Sequence, residues 1–158
     1  MREVVKLIYN GLILSDKNGN SYAITEATMK KKAKLLILED EYWLGKNLKI
    51  FFEAHGFEVF FTTHGEHALD LLKENHPNIF ALDLLMPGMD GYRVLEETQK
   101  FREKLRVIII TGTDISGKKD FLLSHGADLI IEKPFDPDRL LQSMRGLMAA
   151  NGFREETN

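Results

Sequence analysis

The chain contains no cysteine. Disulfides, thiol nucleophiles and thiolate-held metals are thereby excluded. It lacks any apolar run long enough to cross a bilayer. The opening residues, MREVVKLIYNG, have no signal-peptide apolar core. No membrane partner is expected, and the cytoplasm is the default compartment. Charge of one sign is scarce as well: 21 Lys and Arg stand against 24 Asp and Glu, a net charge of −3. So small an imbalance gives no basis for nucleic acid or an anionic membrane as the main partner. A Gly-rich nucleotide loop is also missing. What is present is 158 residues, 44% hydrophobic and 28% charged. That suits one compact domain with its own core and a modest appendage.

From Lys34 onward two textures alternate. Short apolar runs, rich in branched and aromatic residues, occupy 35–38, 57–61, 79–82, 107–110 and 129–131. Between them lie segments with helical spacing: Leu44, Leu48, Phe51 and Phe52; Ala68, Leu71 and Leu72; Tyr92, Val94, Leu95 and Phe101; residues 115–126; and Leu140 through Met148. Gly56 and Gly126 suit helix C-termini, and Asp114 and Asp136 are placed to cap the helices that follow. Strands alternating with helices predict an α/β fold, a doubly wound five-stranded parallel sheet with a short N-terminal extension. Unbroken apolar runs agree with strands buried on both faces. Ligands of such sheets bind at the carboxyl ends of the strands.

The residues at those ends carry the chemistry. The first run ends in Glu39-Asp40, the third in Asp83, the fourth in Thr111 and the fifth in Glu132-Lys133 before Pro134. Asp83 is expected outside the core, as the last residue before the crevice. Three convergent carboxylates repel one another and favour a hard divalent cation such as Mg²⁺. A carboxylate can also act as a nucleophile toward phosphorus, with a lysine and a small hydroxyl to stabilise the transferred group. The turn MPGMDG, residues 86–91, would bring the Leu85 carbonyl to the metal, with Pro87 fixing the backbone and Gly88 and Gly91 allowing unusual dihedrals.

The pair Glu39-Asp40, the block LDLLMPGMDG (82–91), the strand IIITG (108–112) and the block KPF (133–135), in this order and spacing, resemble a response-regulator receiver domain of two-component signalling. The resemblance covers residues 34–150. It implies a flavodoxin-like (βα)₅ fold in a domain spanning 29–150. Asp83 would be the phosphoacceptor. Glu39, Asp40, Asp83 and the Leu85 carbonyl would form the Mg²⁺ site. Lys133 would serve the phosphoryl group and Thr111 the switch. The bond before Pro134 is usually cis in this family. Three positions depart from the common pattern: Glu39 replaces the commoner aspartate, Ile130 an aromatic residue, and Leu85 is apolar.

Several residues have plainer readings. His64 and His67 flank Gly65 with no third ligand and read as surface histidines. His55, His76 and His125 sit near helix ends, where they suit the helix dipole. Tyr42 and Trp43 fall in the first turn of a helix at the crevice rim. Phe121, Leu122 and Leu123 cannot all be buried against one sheet, so either local packing or a partner surface accounts for them. Residues 1–28 lie outside the resemblance. VVKLIY, LILS and SYAIT, separated by Asn10-Gly11 and Asn18-Gly19, suggest a β-meander. A rival start at MKKK (29–32) would leave them an accessory segment. After Ala150 only a tail, 151–158, remains. That length has no room for an output domain, so the expectation is a stand-alone receiver or a fragment.

The leading reading is a phospho-accepting regulatory switch rather than an enzyme. It would receive its phosphoryl group from a sensor histidine kinase or a histidine phosphotransfer protein and act on a downstream protein target, with no nucleic acid. The alternative is a phosphorylation-independent interaction module, a homodimer through the fourth and fifth helical segments. A haloacid-dehalogenase-like phosphohydrolase would need a second Asp at position 85, where Leu85 stands.

Overall fold

The computed structural model describes residues 6–8, 11–15, 21–24, 32–86, 89–112, 114–150 and 152. The chain divides into two compact units, one containing Met1–Lys31 and the other Lys32–Thr157. In the first, β1 (Lys6–Ile8), β2 (Gly11–Ser15) and β3 (Ser21–Ile24) form an antiparallel sheet in sequential order. Ile8 pairs with Gly11. Gly11 therefore belongs to a strand.

The second unit alternates strand and helix: β4 (Lys34–Leu38), α1 (Tyr42–Ala54), β5 (Glu58–Thr62), α2 (Gly65–Asn75) and β6 (Ile79–Leu82). A small ribbon of β7 (Leu85–Met86) and β8 (Met89–Asp90) leads into α3 (Gly91–Glu97). Then follow β9 (Arg106–Thr111), α4 (Lys119–Ser124), β10 (Leu129–Glu132) and α5 (Pro137–Ala150). The large sheet is parallel, in the order β10-β9-β6-β4-β5. Connection order therefore reverses between β4 and β6, and the crevice for a ligand opens beyond their carboxyl ends.

Strand alternation sends side chains to two cores. Leu36 and Leu38 face one that includes Ala68 and Leu72 of α2, Val94 and Leu95 of α3 and Leu122 of α4. Leu35 and Ile37 face the other, against Leu48 and Phe52 of α1 and Leu140, Leu141, Met144 and Met148 of α5. Each such buried aliphatic side chain contributes about 1.5–3 kcal/mol. The apolar runs 35–38, 79–82 and 107–110 are thus strands buried on both faces, and 58–61 and 129–131 lie in the partly exposed edge strands β5 and β10.

Helix ends follow their local chemistry. Gly56 (φ +93°) and Gly126 (φ +111°) take the left-handed conformation after α1 and α4. His76 takes it after α2 at φ +49°. Nδ1–H groups of His55 and His125 donate to the carbonyls of Phe51 and Phe121 at 2.7 and 2.8 Å. Asp136 caps α5, its carboxylate accepting the Asp138 N–H at 2.9 Å.

Three local expectations need correction. Asp114 does not cap α4. Its carboxylate accepts the Ser116 N–H at 2.8 Å, and Gly117 at φ +79° turns the chain before the helix begins at Lys119. The third helical segment loses α-helical bonding at Glu97 and ends as a 3₁₀ turn over Thr98–Phe101. There the buried Thr98 hydroxyl donates to the Leu95 carbonyl at 2.6 Å, a bond that competes with helical continuation. Gly91 is not required for a positive φ. A Cβ there would lie 2.6 Å from the Leu84 carbonyl oxygen and 2.7 Å from its Cα. Its role is close approach of two backbones. Pro87 and Gly88 lie outside the described residues.

The backbone cannot recede as a flexible side chain would, so Gly91→Ala should lower stability by about 1–3 kcal/mol. Urea unfolding of the variant and the wild type checks this. Equal midpoints would show that the turn has room for a methyl group.

Candidate functional site

Glu39 follows β4 and Asp83 follows β6, adjacent strands at the reversal of the sheet. The ladder continues past both strand ends. The Asp83 N–H donates to the Leu38 carbonyl at 3.0 Å, and the Glu39 N–H donates to the Thr62 carbonyl at 3.2 Å. Each backbone is therefore held before its side chain enters the crevice. Asp83 stands at the strand end before the crevice, as expected from the sequence, but not outside the buried interior: both carboxylates are buried, with side-chain exposures of 3% for Glu39 and 5% for Asp83.

Two buried like charges need a counter-charge. Lys133 supplies it from the end of β10. Its Nζ donates to Glu39 Oε2 at 2.7 Å and to Asp83 Oδ2 at 2.6 Å. Its own N–H donates to the Thr111 carbonyl at 2.8 Å, which fixes the origin of the side chain. The Lys133–Pro134 bond is cis. The second Asp83 oxygen, Oδ1, accepts the Leu85 N–H at 2.9 Å, and Glu39 Oε1 accepts the Glu41 N–H at 3.4 Å. Thr111 is fully buried at the end of β9.

One ammonium between two carboxylates leaves negative charge in excess. Burial pushes the Glu39 carboxyl above its ordinary value, although Lys133 pulls it down. Burial alone would depress the Lys133 ammonium, but its bonds to Asp83 and Glu39 outweigh this and hold its pKa above the ordinary value. Asp40 lies exposed beside them. One oxygen from each of Glu39, Asp40 and Asp83 falls within 4.8 Å of the others, a donor set that fits a hard cation.

The structure thus brings together Glu39, Asp40, Asp83 and Lys133, with Thr111 tied to Lys133 through the backbone. Leu85 meets Asp83 through its amide, and its side chain is exposed. The sequence reading did not foresee the direct contact of Lys133 with Glu39. Its signal was charge balance, since a single nearby lysine faces three acids at one rim. His64 and His67 are engaged by hydroxyls, with His64 Nδ1 2.9 Å from Thr63 Oγ1 and His67 Nδ1 3.0 Å from Thr62 Oγ1. Neither joins an acidic or metal-like cluster among the described residues.

Residues 35–145 match the response regulator receiver domain family. The chain belongs to that family. Its fold recurs in solved receiver domains. It is 34% identical over 118 residues to a probable transcriptional regulator, ycf27, of Porphyridium aerugineum, covering 75% of this chain and 49% of that protein. It is 32% identical over 115 residues to sporulation initiation phosphotransferase F of Bacillus subtilis (strain 168), covering 71% of this chain and 90% of that protein. The crystal structure of a CheY-like response regulator receiver domain protein from Methanospirillum hungatei JF-1 superposes with a TM-score of 0.73 at 26% identity, covering 77% and 98% of the two chains. The receiver domain is a regulatory unit of two-component systems rather than a classical enzyme. The chain spans about half the length of several curated relatives, among them transcriptional regulators. The expectation that nucleic acid plays no part finds no support in those relatives. No helix among the described residues is long and apolar enough to cross a membrane.

Removing the ammonium would leave the two buried carboxylates facing each other. Lys133→Met in metal-free buffer should lose up to about 3 kcal/mol at pH 8. The sign follows from Glu39. Its folded pKa is raised, so its contribution is full below the ordinary 4.5 and is lost as pH rises through the folded value. Loss of Lys133 raises that value further, so the deficit should shrink at pH 5. Urea unfolding at both pH values checks this, and a pH-independent deficit would point to lost packing instead.

Proposed function

We propose that Asp83 accepts a phosphoryl group from a sensor histidine kinase or a histidine phosphotransfer protein, and that the change alters binding of a downstream protein target. The observation that carries this reading is the position of the Asp83 carboxylate. It is buried at the sheet reversal, between the Lys133 ammonium and the Leu85 amide. An Asp83 oxygen attacks phosphorus, a P–O bond forms, and the P–N bond to the donor imidazole breaks with the electron pair leaving on nitrogen. Lys133 follows the developing charge on the phosphoryl oxygens, and the Thr111 hydroxyl supplies a small donor once the group is in place.

Glu39, Asp40, Asp83 and the Leu85 carbonyl would hold Mg²⁺, which when bound offsets repulsion between the carboxylates and an anionic donor. The acidic excess around Lys133 supports that role. With metal about tenfold above its dissociation constant, linkage adds roughly 1.4 kcal/mol of stability. Melting temperature should rise with Mg²⁺, and Asp40→Ala should remove most of the rise. An unchanged response in that variant would take Asp40 out of the metal site.

The catalytic groups all lie on this chain, so a small donor should replace the kinase. Acetyl phosphate with Mg²⁺ should give one acid-stable, base-labile adduct by intact mass. Chelation should suppress it and Asp83→Asn should eliminate it, because the amide is a poor nucleophile. Persistence of the adduct in Asp83→Asn would move the phosphoacceptor elsewhere. Absence of uptake from any small donor or kinase, with metal binding intact, would favour a phosphorylation-independent interaction module.

A further inference from the structure

A cavity of about 350 Å³ opens at the outer edge of β5, between α1 and α2, away from Lys133 and Asp83. Its aromatic walls are Tyr42, Phe60 and Phe61, and Leu71 adds to its apolar lining. Lys46, Lys49 and His67 supply its polar groups, and no carboxylate lines it. We propose that this cavity binds a small aromatic carboxylate, its ring against Tyr42 and Phe61 and its carboxylate on Lys46. The proposal is independent of the phosphoacceptor reading.

Three observations carry it. The first is the charge left over. Lys49 is engaged, donating to Glu53 Oε1 at 2.6 Å and to the Val59 carbonyl at 2.5 Å. Lys46 is half-buried, and its ammonium makes no hydrogen bond or ion pair among the described residues. In a chain of net charge −3, a partly desolvated ammonium without an acid beside it suits an anion.

The second is the sheet edge. The Glu58 N–H and the Thr62 carbonyl point to β4, so the backbone groups of Val59 and Phe61 point outward. Lys49 covers the Val59 carbonyl, so among the described residues the Val59 N–H and the Phe61 backbone are the outward groups left over. An added peptide strand would have to displace Lys49, which disfavours strand addition. A compact ligand needs only the Phe61 amide and Lys46. The cavity lies within the usual size range of small-molecule sites.

The third is Gly45. Gly45 lies in the first turn of α1, and glycine within a helix costs up to about 1 kcal/mol relative to alanine. Here a Cβ would lie 2.1 Å from Phe61 Cε2. The helix thus gives up side-chain volume to admit the Phe61 ring that forms the wall, with Tyr42 5.9 Å away between ring centroids.

The test titrates the ¹⁵N-labelled full chain with 2-naphthoate, 2-naphthamide and cyclohexanecarboxylate. Saturable amide shifts from 2-naphthoate should cluster over residues 42–49, 59–61 and 67–71. The neutral amide should bind at least about tenfold more weakly, the value of a charge-assisted bond. The non-aromatic acid should also bind more weakly. Lys46→Met should reproduce the loss for 2-naphthoate, and Lys46→Arg should retain binding. The proposal is overturned by any of four results: no saturable shifts up to about 10 mM, equal binding of acid and amide, unchanged binding by Lys46→Met, or shifts centred on Glu39, Asp83 and Lys133.

Discussion

A single ammonium between two buried carboxylates is the interaction on which the rest of this receiver depends. Glu39 and Asp83 end adjacent strands, so the topology that makes the crevice also forces like charges together. Their neutralising partner comes from the edge strand β10, separated from β6 by β9. Lys133 reaches both acids because its backbone is locked to Thr111 and its side chain is long. Sheet order, strand length and charge balance therefore converge on one atom, Lys133 Nζ. Such pairs contribute little net stability when complete, yet removal of one partner leaves buried charge uncompensated. The arrangement is better explained by positioning than by stability.

The strands were legible because interior parallel strands leave no polar alternation to obscure. Ile79–Leu82 is buried throughout, and its bounds coincide with the apolar run. Capping by Asp136 and the glycine ends at Gly56 and Gly126 were legible for similar local reasons. Asp114 misled because an Asx turn and an N-cap use the same residue type; Gly117, three positions on, decides between them. Gly91 misled because a glycine can serve dihedral freedom or close approach, and only the position of Leu84 distinguishes these. At the site, residue types and order were readable from the sequence. Burial of Asp83 was not, because it depends on where the ribbon of β7 and β8 and the Lys133 side chain come to lie.

The two edges of the large sheet differ. β5 has a lysine across one outward carbonyl and aromatic residues along its flank. β10 is half-buried over Leu129–Ile131, and its last residues deliver Lys133. An open edge invites pairing with another chain, and a capping lysine is a common defence. In β5 that defence is local, which is why the neighbouring backbone at Phe61 stays available to a compact ligand. One edge thus serves the central site through the side chain of the residue that follows it, and the other through a backbone carbonyl, that of Thr62, which holds Glu39.

The oxygen count at Asp83 constrains how a covalent change could spread, on the reading that Asp83 is the phosphoacceptor. Oδ2 is taken by Lys133 and Oδ1 by the Leu85 N–H. Bonding of either oxygen to phosphorus weakens it as an acceptor, so one of these contacts must be given up or transferred to the new phosphoryl oxygens. If Oδ2 reacts, Lys133 turns toward the phosphoryl group, and its hold on Glu39 and its link to Thr111 place β9 and β10 on the affected path. If Oδ1 reacts, the Leu85 amide is released, and the ribbon leading to Gly91 and α3 responds instead. Lys133 carries its charge at the end of a long side chain, whereas the Leu85 N–H belongs to a backbone whose residue pairs with Asp90 across the ribbon. The lysine is therefore the easier group to move. That favours Oδ2 as the reacting oxygen and the β9–β10 side of the sheet as the part that answers.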